Sequence, residues 1–113
     1  MTQQKILNSI RSALIIDDEN DICFLLSNIL KKNDLKVSCV NSLAEGIASL
    51  KLHEPCVLFL DNYVKNEHAG TKIIMVTAHD TPDDRKNALQ RGANFFIAKP
   101  FTVDQIKNAL QNI

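Results

Sequence analysis

The chain has 113 residues, 45 % of them hydrophobic, and thirteen basic residues balance thirteen acidic ones. That length supports one domain over residues 1–113 with a real core, and an even charge without a Lys/Arg run argues against a nucleic-acid partner. No apolar stretch is long enough to span a bilayer, so no membrane partner is expected, and Met1 to Arg11 lacks the continuous apolar region of a signal peptide.

Residues 1–11 read as a short N-terminal extension in which Ile6, Leu7 and Ile10 form a docked or frayed helix. The first strand is expected over Ser12 to Ile16. A helix follows, with Ile22, Leu25, Leu26, Ile29 and Leu30 on one face. Lys31, Lys32 and Asn33 close it and place positive charge at its C-terminal end. The second strand spans Lys36 to Val40. Ser42 caps the next helix, with Glu45 in capping-box position and Leu43, Ile47 and Leu50 as the buried stripe. Pro55 separates it from a third strand, Cys56 to Leu60. The fourth strand is Lys72 to Val76. Thr81-Pro82-Asp83-Asp84 starts a helix by a Thr cap, a proline in the first turn and acids at the positive end of the dipole; that helix ends at Gly92. The fifth strand runs Asn94 to Ala98. Thr102 caps a last helix, with Val103, Ile106 and Leu110 inward.

Strands alternating with helical patterns signal a doubly wound α/β fold. The apolar runs are short, β-branched and nearly unbroken, as in parallel strands buried on both faces. One connection departs from the pattern. Only the eleven residues Asp61 to Thr71, D-N-Y-V-K-N-E-H-A-G-T, separate the third and fourth strands, and they carry no helical stripe. A parallel crossover usually takes at least 10–12 residues including its helix, so the third crossover helix is expected to be missing or vestigial. Its loss would leave apolar residues of these strands, Val57, Phe59 and Ile73 to Val76 among them, uncovered on one face. A patch of that kind is uncommon on a monomer; a neighbouring helix sliding across, the Asn62–Thr71 loop folding over it or a second copy docking there could cover it, and self-association as a homodimer is the favoured cover.

Asp17, Asp18, Asp61, Thr77 and Lys99 sit at or just past the downstream ends of four apolar runs. Parallel strands all end on one edge, so these five side chains should converge there, where open α/β sheets bind ligands. Gathered carboxylates repel one another, and a hard cation removes that repulsion. Magnesium is therefore expected, held by Asp18 and Asp61 directly and by Asp17 through water, with the backbone carbonyl of Tyr63 as a further ligand. Asp61, ending the central strand, is the carboxylate best placed to attack phosphorus. Lys99 would pair with one phosphoryl oxygen and the Thr77 hydroxyl with another. His79 lies two residues past Thr77, close enough to influence water access; His53 and His68 have no ligand spacing. Cys23, Cys39 and Cys56 lie in apolar patterns without C-x-x-C spacing and read as reduced, buried thiols of a cytoplasmic protein.

At L-I-I-D-D-E-N, F-L-D-N, M-V-T-A-H and F-I-A-K-P-F the chain resembles the response-regulator receiver domains (CheY-like) of two-component signalling, over Ser12 to Ile113. The resemblance implies a flavodoxin-like sheet of order 2-1-3-4-5. It makes Asp61 the phosphoacceptor, Asp17 and Asp18 magnesium ligands, and Thr77 and Lys99 the phosphoryl contacts. It also makes Phe96 the switch aromatic and Lys99-Pro100 a cis peptide. Two departures stand out. Lys65 occupies the place of the family's usual proline, and Gly70 is followed almost at once by the fourth strand.

The implied function is a phosphoacceptor module, not an enzyme with turnover. It would take its phosphoryl group from a histidine kinase or phosphotransfer protein, and act by partner binding or onward relay. Phosphorylation would draw Thr77 toward the site and turn Phe96 inward. A phosphorylation-independent scaffold on the same fold is the alternative, favoured by the short crossover and opposed by the intact five residues. A phosphohydrolase would need an acid/base Asp where Tyr63 stands.

Overall fold

Unbroken apolar segments form the middle of the fold. The computed structural model describes residues 11–61 and 70–113. Strands β1 (Arg11–Ile16), β2 (Leu35–Val40), β3 (Val57–Leu60), β4 (Lys72–Thr77) and β5 (Phe95–Ala98) make one sheet, every pairing parallel, in the order β2-β1-β3-β4-β5. This is the doubly wound order expected. Four helices accompany the strands among the described residues: α1 (Asn20–Lys32), α2 (Leu43–Leu52), α3 (Pro82–Gln90) and α4 (Val103–Gln111). Residues 62–69, which hold most of the short crossover, lie outside the described residues, as does the extension before Arg11.

Alternation along the strands divides the core in two. Ala13, Ile15, Val57, Phe59, Ile74, Val76 and Ile97 point to one face, where Leu26, Ile29 and Leu30 of α1 and Ile106, Ala109 and Leu110 of α4 meet them. Leu14, Ile16, Leu58, Leu60, Ile73 and Met75 point to the other, with Leu50 of α2 and Ala88 of α3. Caps act as the sequence implies. The Ser42 hydroxyl accepts from Glu45 N at 3.2 Å. Thr81 with Asp84, and Thr102 with Gln105, form complete capping boxes. Gly92, at φ 110°, turns the chain out of α3 in a conformation that favours glycine.

Several expectations are corrected. The apolar face of β3 and β4 is not open: Val57 to Leu60 and Ile73 to Val76 are all buried within one chain. Self-association therefore loses the reason the sequence offered for it. Leu25, Leu43, Ile47 and Val103 are exposed rather than buried. For α2 the cause is Gly46, whose missing Cβ position lies 2.8 Å from Ile16 Cγ1. The backbone comes so close there that the inward stripe is Gly46 and Leu50, and Leu43 and Ile47 rotate to its margin. Val103 begins α4, one turn before its buried residues. The cysteines differ as well. Cys23 is buried, Cys39 and Cys56 are exposed, and Cys23 is joined to Cys39 in a disulfide. Packing of α1 against β2 brings their Cα atoms to 6.2 Å, within bridging range.

Candidate functional site

The sheet's parallel ladder runs on past the strand ends and delivers the polar residues to one edge. Asp17 N donates to Val40 O at 3.1 Å, Asp61 N to Ile16 O at 3.3 Å and Lys99 N to Thr77 O at 2.9 Å. Three of the five expected residues meet directly. Lys99 Nζ lies 2.9 Å from Asp17 Oδ2 and 3.3 Å from Asp61 Oδ1, with 8 % of its side chain exposed. The Lys99–Pro100 peptide is cis, as the resemblance implied.

A residue that sequence reasoning passed over joins them. Glu19 Oε1 lies 3.1 Å from Lys99 Nζ, and Glu19 N donates to Asp17 Oδ1 at 2.9 Å. Its signal was present in the acidic run D-D-E, but Glu19 also stands at the N-cap of α1, where an acid has an ordinary reason to be. Asp17, Asp18, Glu19 and Asp61 each place a carboxylate oxygen within 4.8 Å of the others.

The electrostatics follow from burial and charge. Burial raises the Asp17 carboxyl above its usual range, against the lowering effect of the Glu19 amide and of Lys99. Burial alone would lower Lys99; its bonds to Asp17 and Glu19 and the charge of Asp61 outweigh that and hold the ammonium firmly protonated. One ammonium against four carboxylates leaves a surplus of negative charge. An all-oxygen donor set, partly exposed through Asp18 and Glu19, fits a hard divalent cation that keeps some of its waters. The donors fit such an ion by their chemistry. Tyr63, whose carbonyl was expected to contribute, lies outside the described residues.

Thr77 and Phe96 approach from the α2/α3 face. Thr77 is buried, and its hydroxyl accepts from His79 N at 3.2 Å. Asp61, Thr77, Met75 and Phe96 line a cavity of about 210 Å³. Phe96 is half-buried, and the guanidinium carbon of Arg85 stands 4.9 Å from its ring centroid. His79 also lines the cavity, though it is itself exposed, as is His53; His68 lies outside the described residues.

Similarity to known proteins agrees with this geometry. The response regulator receiver domain family matches residues 13–111. The nitrogen assimilation regulatory protein NtrX of Azorhizobium caulinodans is 28 % identical over 107 residues, covering 82 % of this chain and 24 % of NtrX. The chain thus spans about a quarter of that relative's length. A response regulator from Thermotoga maritima superposes with a TM-score of 0.83 at 19 % identity, covering 90 % of this chain and 95 % of that one. A beryllofluoride-activated NtrC4 receiver-domain dimer superposes with a TM-score of 0.78 at 27 % identity, covering 88 % of this chain and 96 % of that one. With the acidic cluster and the bridging lysine at the carboxyl edge of a 2-1-3-4-5 sheet, the match over nearly the whole chain shows that it belongs to the response-regulator receiver domain family, the phosphoacceptor modules of His-to-Asp signalling.

Proposed function

We propose that Asp61 is the phosphoacceptor and that the module works with Mg²⁺ held by Asp17, Asp18 and Asp61. The observation that carries this reading is the buried Lys99 bridging Asp17 and Asp61 inside a four-carboxylate cluster at the sheet edge. The ion, when bound, neutralises charge on the phosphoryl group. Glu19, already beside Lys99, is a further candidate for its hydrated sphere.

In this reading an Asp61 oxygen attacks phosphorus and the bond to the donor's leaving group breaks, the leaving atom keeping the electron pair. The donor is the phosphohistidine of a histidine kinase or phosphotransfer protein. Lys99 stands 3.3 Å from Asp61 and pairs with a phosphoryl oxygen in place of one carboxylate. The Thr77 hydroxyl leaves the His79 amide and donates to another, and Phe96 turns into the cavity beside it. The surface built by α3, β5 and α4 changes with it and reads out to a partner, a shift between two states biased by the phosphoryl contacts. The resemblance to an activated NtrC4 dimer supports dimerisation as one such output. No described helix is long and apolar enough to cross a membrane; we take the setting to be the cytoplasm.

Incubation with Mg²⁺ and a small acyl phosphate, followed by intact mass measurement, tests the assignment. The expected result is a gain of one phosphoryl group, abolished by Asp61→Asn and by EDTA. Equal labelling of the Asp61→Asn protein would overturn it.

A further inference from the structure

Phe96 differs from a tyrosine in one consequential way. It has no hydroxyl, so no hydrogen bond can hold its ring in either an outward or an inward position. Only packing and the ring face are left. In this chain the ring face is occupied. The Arg85 guanidinium stands over it at 4.9 Å, inside the range of a cation–π contact. Arg85 is itself held from the other side, its Nε donating to Asp80 Oδ1, and this bond raises its already high pKa. Asp80 immediately precedes the Thr81 cap, and the Thr81/Asp84 capping box fixes the first turn of α3, where Arg85 is placed. Beside the ring lies the cavity of about 210 Å³ lined also by Thr77 and Asp61, which is space the ring could take.

From these contacts we infer that Arg85, oriented by Asp80, is a latch on Phe96: a positioning residue that holds the ring outward and so sets the balance between resting and phosphorylated forms. The inference rests on the switching role given to Phe96 above. Its mechanism is direct. If inward rotation into the cavity carries the ring away from the guanidinium, as the latch requires, the contact stabilises only the outward form. A ligand or a mutation shifts a two-state equilibrium by its difference between the states and by nothing else. A partly exposed cation–π contact is worth roughly a two- to five-fold population change. That is enough to tune a switch and too little to lock it.

The test places 4-fluorophenylalanine at position 96 and follows its ¹⁹F resonance and its H₂O/D₂O isotope shift in the full chain. Arg85→Gln should bury the fluorine more often in the unphosphorylated protein, raising the inward population about two- to five-fold and tightening Mg²⁺-dependent beryllofluoride binding by a similar factor. Arg85→Lys, which keeps a cation, should retain part of the latch, and Asp80→Asn should move the signal in the same direction by less. In a Phe96→Leu background Arg85→Gln should no longer alter beryllofluoride affinity. An unchanged resonance and isotope shift in folded Arg85→Gln protein overturns the latch. Phosphoryl labelling of Asp61 is read separately by mass. A protein that is never labelled, yet whose Phe96 signal responds to Arg85→Gln, would refute the phosphoacceptor reading while leaving the latch in place.

Discussion

The two faces of the sheet are built differently. On the first, α1 and α4 drive Cys23, Leu26, Ile29, Leu30, Ile106, Ala109 and Leu110 into the strands. On the second, α2 and α3 bury only Gly46, Leu50 and Ala88. The strand residues beneath are buried equally on both sides. One face is therefore held by several large helix side chains, while on the other α2 comes close to Ile16 at Gly46 and buries one large side chain, Leu50, and α3 buries only Ala88. Thr77 and Phe96, the two residues proposed to move, follow the register of Ile73 and Met75 onto the second face. A region with less interlocked apolar area opens at lower free energy. That asymmetry would favour motion of the proposed switch on the second face.

The comparison is broken most directly by truncating one large residue on each face. Leu30→Ala on α1 should cost about 2–5 kcal/mol in denaturant unfolding, toward the upper end because Leu30 is fully enclosed. Leu50→Ala on α2 should fall toward the lower end of the same range, since Leu50 keeps 8 % of its surface exposed where Leu30 keeps none. Equal losses would show that the two faces are packed alike.

The close approach of α2 is the next point of attack. Gly46→Ala puts a methyl against Ile16 and should cost about 1–3 kcal/mol by overpacking. Ile16→Val removes the Ile16 Cδ1 methyl that the new group would meet, so the double variant should recover part of the loss. A Gly46→Ala protein as stable as the parent would mean that α2 simply moves outward, and that close backbone packing does not define this face.

The smallest expected effect concerns α3. Thr81→Ala removes one cap bond and should cost about 1 kcal/mol. Because the same turn carries Arg85, the loss should appear as faster amide exchange in α3, leaving α1 unchanged. Uniform exchange across all helices would argue that α3 does not open separately.

How much of this was legible in the chain depends on the range of the interaction. Strand positions follow from local apolar runs and their alternation with helices, and the caps at Ser42, Thr81 and Thr102 follow from bonds within three residues, whereas the 2-1-3-4-5 order came only from the family resemblance. The convergence of Asp17, Asp61 and Lys99 followed too, because parallel strands must end on one edge. Glu19 was not separable by sequence from an ordinary acid at a helix start; only the reach of Lys99 across eighty residues marks it.

What tertiary structure alone decided was orientation and closure. The inward stripe of α2 was set by how near Gly46 lets the backbone approach Ile16, which no helical periodicity encodes. The disulfide between Cys23 and Cys39 depends on α1 lying against β2 at bridging distance. The sheet face that counting residues left open is buried, because burial is a property of all neighbours together and not of one connection's length. Arg85 over Phe96 is of the same kind. The two residues lie on different elements, and their contact exists because α3 packs beside β5.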